Sequence, residues 1–297
     1  KGPLSALEDV FTSNIFRSLT DSKMLQIILF GILFGAVLSM VSKEKAKPVI
    51  NLVEGLNEVF VKMVMVIMKA MPFFVFALMA GQIVKAAGSD PEKFAELMKF
   101  YLWYGAVVVA GLLTMAFVVY PIIVKLLTGL GFGKFLKGVK DAQITAFSTS
   151  SSVATLPITM DCLENKLKVS KSTTSFVLPI GATVNMDGTS LYQGIAVVAL
   201  AQFHMIDLSI AQQLVIVGTA TVASIGAAAI PSAGLILMMV VLESVGLNPL
   251  WIAIIFPIDR ILDMCRTVVN VTGDATVASI VAYSENEFNV SKDNISD

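Results

Sequence analysis

Charge is scarce in this chain: Asp, Glu, Lys and Arg make up 14% of its 297 residues, where soluble domains carry about 25%. With 56% hydrophobic residues and a mean hydropathy of +0.81, that scarcity excludes a soluble protein with a large core and predicts an integral membrane protein. Cysteine is nearly absent. Cys162 and Cys265 are too few and too far apart for a disulfide framework or a thiolate metal site. The single histidine, His204, precedes a loop and leaves the serine-rich segments without a partner for hydrolytic chemistry. A net charge of −1 is uninformative about partners, and nucleic acid is not expected among them. No initiating methionine or secretory leader is present in the opening KGPLSALEDVF, so the expectation is a chain incomplete at its N-terminus.

What charge there is falls in an unexpected place. Between Leu250 and Tyr283 an apolar run long enough to cross a bilayer carries Asp259, Asp263, Arg266, Asn270 and Asp274. Spacings of four, three, four and four put all five on one helical stripe about 80° wide, with Thr267 at its edge. Each charge at mid-membrane costs on the order of 3 kcal/mol. The stripe therefore faces protein or a watery cavity, and its mixed signs suit a zwitterion together with cations. The competing expectation is a self-neutralising cluster that ties helices together.

The chain in order supplies a setting. Met24–Ser42 is uncharged over about one bilayer thickness and ends at Lys43, Lys45 and Lys47. Val49–Val84 reads as a long helix, Asp90-Pro91 as a helix start, and 96–127 as a span. From Ala142 to Met160, AFSTSSSVATLPIT crowds hydroxyl residues that compete for the backbone. This predicts a re-entrant hairpin over 134–162 with a serine-rich tip. Asn185-Met-Asp-Gly interrupts the run 168–203 and predicts a helix broken in mid-membrane, with carbonyls and Asp187 exposed as cation ligands. Leu208–Leu242 is uncharged for 35 residues, far longer than a single crossing requires. The small residues Ser224–Gly234 at its centre predict a second hairpin over 208–243. The stripe helix, 250–283, is expected to break in turn at Asn270-Val-Thr-Gly-Asp274. Hairpin plus broken helix, twice, is a repeat of the kind secondary transporters use. Lysine-rich loops at 43–47, 125–140 and 166–171 face the cytoplasm by the positive-inside rule, which makes the second repeat inverted.

AFSTSSSVATLPITM, LPIGATVNMDGT, ASIGAAAIPSAG and ILDMCRTVVNVTGD, in this order and spacing, resemble the dicarboxylate/amino acid:cation symporters. That family includes archaeal sodium–aspartate transporter homologues, bacterial glutamate transporters and animal excitatory amino acid transporters. The resemblance implies an all-α polytopic fold with two re-entrant hairpins and two broken helices in inverted repeat. Residues 1–95 would be part of a trimerising scaffold, and 96–297 a mobile transport domain with a cytoplasmic tail. It implies that Asp263 receives the substrate ammonium, Arg266 its side-chain carboxylate, and Thr267 with Asn270 its α-group. Ser150, Ser152 and Thr189 would be further contacts, and Ile230 to Gly234 a lid. Sodium would be held by Asn185, Asn270, Asp274 and the Gly181 carbonyl. A second sodium would use backbone around Thr183, Ser224, Ile225 and Ala227, and a third Asn185 with Asp187.

The chain departs from the family pattern in three ways. It lacks the first three of about eight spans, it carries Ala229 where relatives often place glycine, and it has Ser150 and Met264 where relatives place an arginine. Arg260 stands nearby instead. The expected function is a sodium-coupled elevator symporter for glutamate or aspartate, a homotrimer in the cell membrane, and not an enzyme. The alternatives are a proton-coupled glutamate symporter of the same family, a C4-dicarboxylate carrier of the same fold, against which Asp263 argues, an ion channel, and an intramembrane protease.

Overall fold

A computed structural model describes residues 13–21, 24–70, 73–74, 76–77, 80–81, 84, 88, 90–227 and 232–288. Two compact units divide at Phe74/Val75. In the first, Asn14 caps α1 (Ile15–Thr20) by accepting from the Phe16 and Arg17 amides. The Ser18 hydroxyl then donates to Gln26 of α2 (Met24–Met40) at 2.7 Å. The following helix, α3 (Lys43–Lys69), starts six residues before the apolar run that predicted it.

The second unit opens with Asp90 capping α4 (Pro91–Thr114), its carboxylate accepting from the Glu92 amide and Pro91 taking the first helical position. A π-turn, Met115–Val119, carries the helix without a break into α5 (Tyr120–Thr128), which ends on left-handed Gly129. Pro91–Thr128 is the one helix among the described residues long and apolar enough to cross a membrane. Next come α6 (Phe132–Thr149) and α7 (Ser152–Asp161), packed against each other. They meet at left-handed Ser150 and at Ser151, which caps α7. The turn is thus at the serines, and Pro157 sits inside α7. A second π-turn, Cys162–Lys166, leads to α8 (Lys171–Val184).

The expected break follows. Asn185 and Met186 leave helical geometry, with ψ of 82° and 48°, before α9 (Asp187–Phe203) begins. Helices α10 (Ile210–Ile225) and α11 (Ala233–Ser244) form the second packed pair. Residues 228–231 between them, including Ile230 of the expected lid and Ala229, lie outside the described residues. A 3-10 turn, Pro249–Trp251, starts α12 (Ile252–Ser284).

This last helix corrects an expectation. It runs 33 residues without a break, so Asn270-Val-Thr-Gly-Asp274 is helical throughout. The Thr272 and Thr276 hydroxyls bond carbonyls four residues back, at 2.6 and 2.8 Å, instead of competing for the backbone. Gly273 is there for closeness. A Cβ on it would stand 2.7 Å from Asn185 Nδ2 and 2.9 Å from Tyr120 Oη.

Helix α12 is the axis of the unit, packing on α4 to α9 and on α11. One hydrophobic core gathers Phe135, Val139, Leu163, Leu178, Val271 and Ala278 around it. The exterior is unlike that of a soluble protein, for Leu126, Ile210 and Phe176 are 78%, 77% and 71% exposed while Asp259 and Arg266 are buried. That inversion suits a hydrocarbon solvent.

The end of α12 is clasped. Val169 and Phe288 form an antiparallel bridge, and the Ser170 and Thr173 hydroxyls both donate to Glu287. These two donors hold the Glu287 carboxyl below its usual range. A depressed folded value means that the clasp stabilises above the unfolded carboxyl pKa of about 4.3 and weakens as pH falls through the folded one. Glu287→Ala is expected to speed amide hydrogen exchange severalfold across 169–174 at neutral pH. Exchange unchanged from the parent protein would mean that the hydroxyls hold nothing.

Candidate functional site

The stripe lies fully inside. Asp259, Asp263, Arg266, Asn270 and Asp274 are all buried along one face of α12, as the spacing requires. Two poles separate along it.

The first pole centres on Arg266, which is 1% exposed. Its Nη1 donates to Asp259 Oδ1 at 3.0 Å and its Nη2 to Asp263 Oδ1 at 2.6 Å. The guanidinium lies 3.9 Å over the ring of Tyr192 on α9, where cation–π attraction fixes its plane. Asp263 also accepts from the Ser232 amide at 3.0 Å, where left-handed Ser232 begins α11, and lies 3.7 Å from Arg260. The second helix pair therefore touches the stripe through its backbone. Gly234 is pressed between elements: a Cβ there would meet Thr189 Cγ2 at 2.5 Å and Arg266 Cζ at 3.9 Å. Its carbonyl accepts from Gln193 at 2.8 Å. Thr267 is buried with its hydroxyl on the Asp263 carbonyl.

Arg266 binds one oxygen of each aspartate and grips neither with its whole fork. A carboxylate brought in by a ligand would match that fork in a bidentate contact that neither aspartate makes. Asp259 Oδ2 is buried with no hydrogen-bond partner among the described residues. The cluster neutralises itself, but incompletely.

The second pole lies about two turns further along α12. Asp274 accepts from Asn185 Nδ2 at 2.8 Å. Gly181 lets α8 come this close, since a Cβ there would stand 2.6 Å from Asp274 Oδ1. The Gly181 carbonyl accepts from the Asn185 amide at 2.8 Å, with its second lone pair left for another partner. Asn270 Oδ1 takes the Gly188 amide at 2.8 Å, and its Nδ2 reaches Met186 Sδ and Thr189 Oγ1. Gly188 is thus no helix breaker. It sits inside α9, and a Cβ on it would fall 2.6 Å from the Arg266 carbonyl, so its bareness lets α9 dock on α12. Asp187 is exposed and accepts from Tyr120 Oη at 2.6 Å.

A cavity of about 870 Å³ opens beside this pole, lined among others by Asn185, Asp187, Ser190, Ser224 and Ile225. Buried Ala227 donates its amide to the Ser224 carbonyl, and Thr183 is exposed with its hydroxyl on Ile180. Carboxylate, amide and carbonyl oxygens are hard donors of the kind a hard cation takes. Among the described residues no group of three or more His, Cys, Asp or Glu is gathered as a transition-metal site would need.

Of the expected residues, Thr189, Gly234, Asp263, Arg266, Thr267 and Asn270 come together, as do Gly181, Asn185, Asn270 and Asp274. Ser150 and Ser152 are buried at the first hairpin turn, and the Ser150 hydroxyl has no hydrogen-bond partner among the described residues. Sequence reasoning missed Tyr120, Tyr192 and Gln193. For Tyr192 and Gln193 a signal existed, since they stand three and four residues after Thr189 on the same face of α9.

Known proteins are similar to this chain over most of its length. The chain is 42% identical over 259 residues to excitatory amino acid transporter 1 of Ambystoma tigrinum, covering 87% of this chain and 47% of that protein. It is 42% identical over 258 residues to excitatory amino acid transporter 3 of Oryctolagus cuniculus, 87% of this chain and 48% of the relative. An excitatory amino acid transporter of Caenorhabditis elegans matches at 40% over 260 residues, 88% of this chain and 50% of its own length. The chain spans about half the length of the curated relatives it matches. The pattern of one family runs over residues 1–284, from before the first described helix to the end of α12, and the chain belongs to the sodium:dicarboxylate symporter family.

Proposed function

We propose that this chain forms the substrate- and cation-binding part of a sodium-coupled symporter for the acidic amino acids glutamate and aspartate, in a multi-pass protein of the cell membrane. The observation that carries the reading is Arg266, buried between Asp259 and Asp263 over Tyr192, with the start of α11 against it. An amino acid with an acidic side chain fits this set. Its ammonium takes Asp263, its side-chain carboxylate takes the Arg266 fork, and Thr267, Asn270 and Thr189 offer hydrogen bonds to the α-carboxylate. Ser150 and Ser152 would close the site from the first hairpin, and the segment through Ile230 to Gly234 would cover it.

Sodium at Asp274, Asn185, Asn270 and Gly181 compensates a buried carboxylate, which favours the closed arrangement. A second sodium would use backbone around Thr183, Ser224, Ile225 and Ala227, of which Ser224 and Ile225 line the cavity, and a third would use Asn185 and Asp187, which line it too. The two helix pairs, α6–α7 and α10–α11, are read as re-entrant hairpins entering from opposite sides, in an inverted repeat. In that reading residues 1–95 serve a trimeric scaffold, and 96–297 move as an elevator within the lipid bilayer.

Uptake into proteoliposomes with sodium and proton gradients imposed separately tests the reading. Aspartate or glutamate is expected to accumulate on an inward sodium gradient at uniform pH. Accumulation of succinate without either amino acid, or uptake driven by the proton gradient alone, would replace it with the dicarboxylate or proton-coupled alternative.

A further inference from the structure

The cation pole contains one side chain that the reading above does not use. Tyr120 is buried, and its hydroxyl donates to Asp187 Oδ2 at 2.6 Å, the only side-chain donor to that carboxylate among the described residues. The same hydroxyl lies 2.9 Å from where a Cβ on Gly273 would stand, beside Asn185 Nδ2 at 2.7 Å and one residue before Asp274. Tyr120 therefore stands where α5, the break before α9, and α12 meet. We infer that Tyr120 is a positioning residue of the cation site, holding the Asp187 carboxylate at the wall of the cavity in the orientation a sodium ion needs.

The helix is built to deliver this side chain. Buried residues along α4 and α5 recur every fourth position: Tyr104, Val108, Leu112, Ala116, Tyr120 and Val124. An α-helix turns about 100° per residue, so Tyr120 would lie about 160° around the axis from Tyr104, nearly on the opposite side. The π-turn Met115–Val119 absorbs one extra residue and reduces that angle to about 60°. Pro121 follows at once and has no amide hydrogen to bond the carbonyl four residues back, so the widened turn leaves one donor fewer to satisfy. Met115 of the same turn lines the cavity that Asp187 borders. The turn thus places a cavity wall and a carboxylate's hydrogen-bond donor together.

A carboxylate that is exposed to a cavity and held through one oxygen has a fixed direction for the other. Losing a hydrogen bond to a charged group leaves the carboxylate free to turn and spreads its orientations, which a cation must then pay to restrict.

This inference rests on the sodium-coupled reading, and its test separates the two. Tyr120→Phe, Asp187→Asn and the double variant of the purified protein are titrated with sodium in two ways: by calorimetry without amino acid, and by uptake at saturating aspartate. Tyr120→Phe removes one oxygen and is expected to raise half-saturating sodium about tenfold in both, with the aspartate KM at saturating sodium changed less than twofold. In the Asp187→Asn background, adding Tyr120→Phe should change sodium dependence no further. A half-saturating sodium within twofold of the parent, or a tenfold loss that persists without Asp187, would overturn the inference and leave Tyr120 a packing residue. Sodium dependence untouched by Asp187→Asn and Asp274→Asn alike would sink the sodium reading, and the role of Tyr120 with it.

Discussion

Arg266→Ala is expected to weaken glutamate and aspartate by about a hundredfold or more, while serine and alanine lose far less. A charge-assisted contact to a carboxylate contributes about 1.5–3 kcal/mol, and leaving the ligand's carboxylate buried and unpaired adds to the loss. The same substitution has a second effect. Arg266 compensates Asp259 and Asp263 in the resting protein, so its removal strands two buried carboxylates. Breaking such a pair from one side costs about 3–5 kcal/mol. Asp259→Asn in the same chain removes most of that burden, because Asp263 keeps the Ser232 amide and the neighbouring Arg260. Arg266→Ala/Asp259→Asn should therefore recover stability and binding of neutral amino acids without recovering binding of aspartate. Asp263→Asn, by contrast, should weaken every amino acid alike, since all carry the ammonium. Competition of unlabelled serine and aspartate for the same site would read these differences. Equal losses for serine and aspartate in Arg266→Ala would reduce Arg266 to a structural partner of the stripe.

The stripe was legible because two strong constraints coincide on it. Helical period and the cost of charge in hydrocarbon together leave Asp259, Asp263, Arg266, Asn270 and Asp274 only the interior to face. The break before α9 was legible for a partly mistaken reason. Asn185 and Met186 unwind, while Gly188, which looked like the breaker, is helical and serves a close approach to α12. The parallel expectation at Asn270–Asp274 failed on the same logic. Asn, Thr and Asp there resemble a break, yet each has a partner that leaves the helix intact: Asn270 the Gly188 backbone amide, Thr272 the Val268 carbonyl, Asp274 the Asn185 side-chain Nδ2. Whether such residues break a helix depends on neighbours brought in by the fold, and one segment does not contain them. Tyr120 was illegible for a related reason. In an apolar run a tyrosine reads as core, and the carboxylate that gives its hydroxyl a purpose lies 67 residues away.

Asp274→Asn is expected to remove sodium activation while leaving the protein folded in the membrane. Asp274 is 3% exposed, and among the described residues no Lys or Arg pairs with it, the buried cation Arg266 being committed to Asp259 and Asp263. Among the described residues its one side-chain donor is neutral Asn185. Taking an ionised carboxylate out of water costs several kcal/mol even after relaxation, and one neutral hydrogen bond does not offset that. A cation does, and a site that costs stability while empty binds its ion the more strongly for it. The amide in Asp274→Asn has the same shape without the charge, so two opposite shifts should appear together. In choline chloride, with no sodium present, the variant should melt above the parent protein, because its buried group is neutral. In sodium chloride the parent should gain, by about 2.7 kcal/mol when sodium stands at a hundred times its Kd, while the variant should gain little. The two melting curves are therefore expected to change order between the salts. A sodium-dependent rise in Tm as large in Asp274→Asn as in the parent would show that the ion sits elsewhere, and that the carboxylate at the foot of the stripe serves only to hold Asn185.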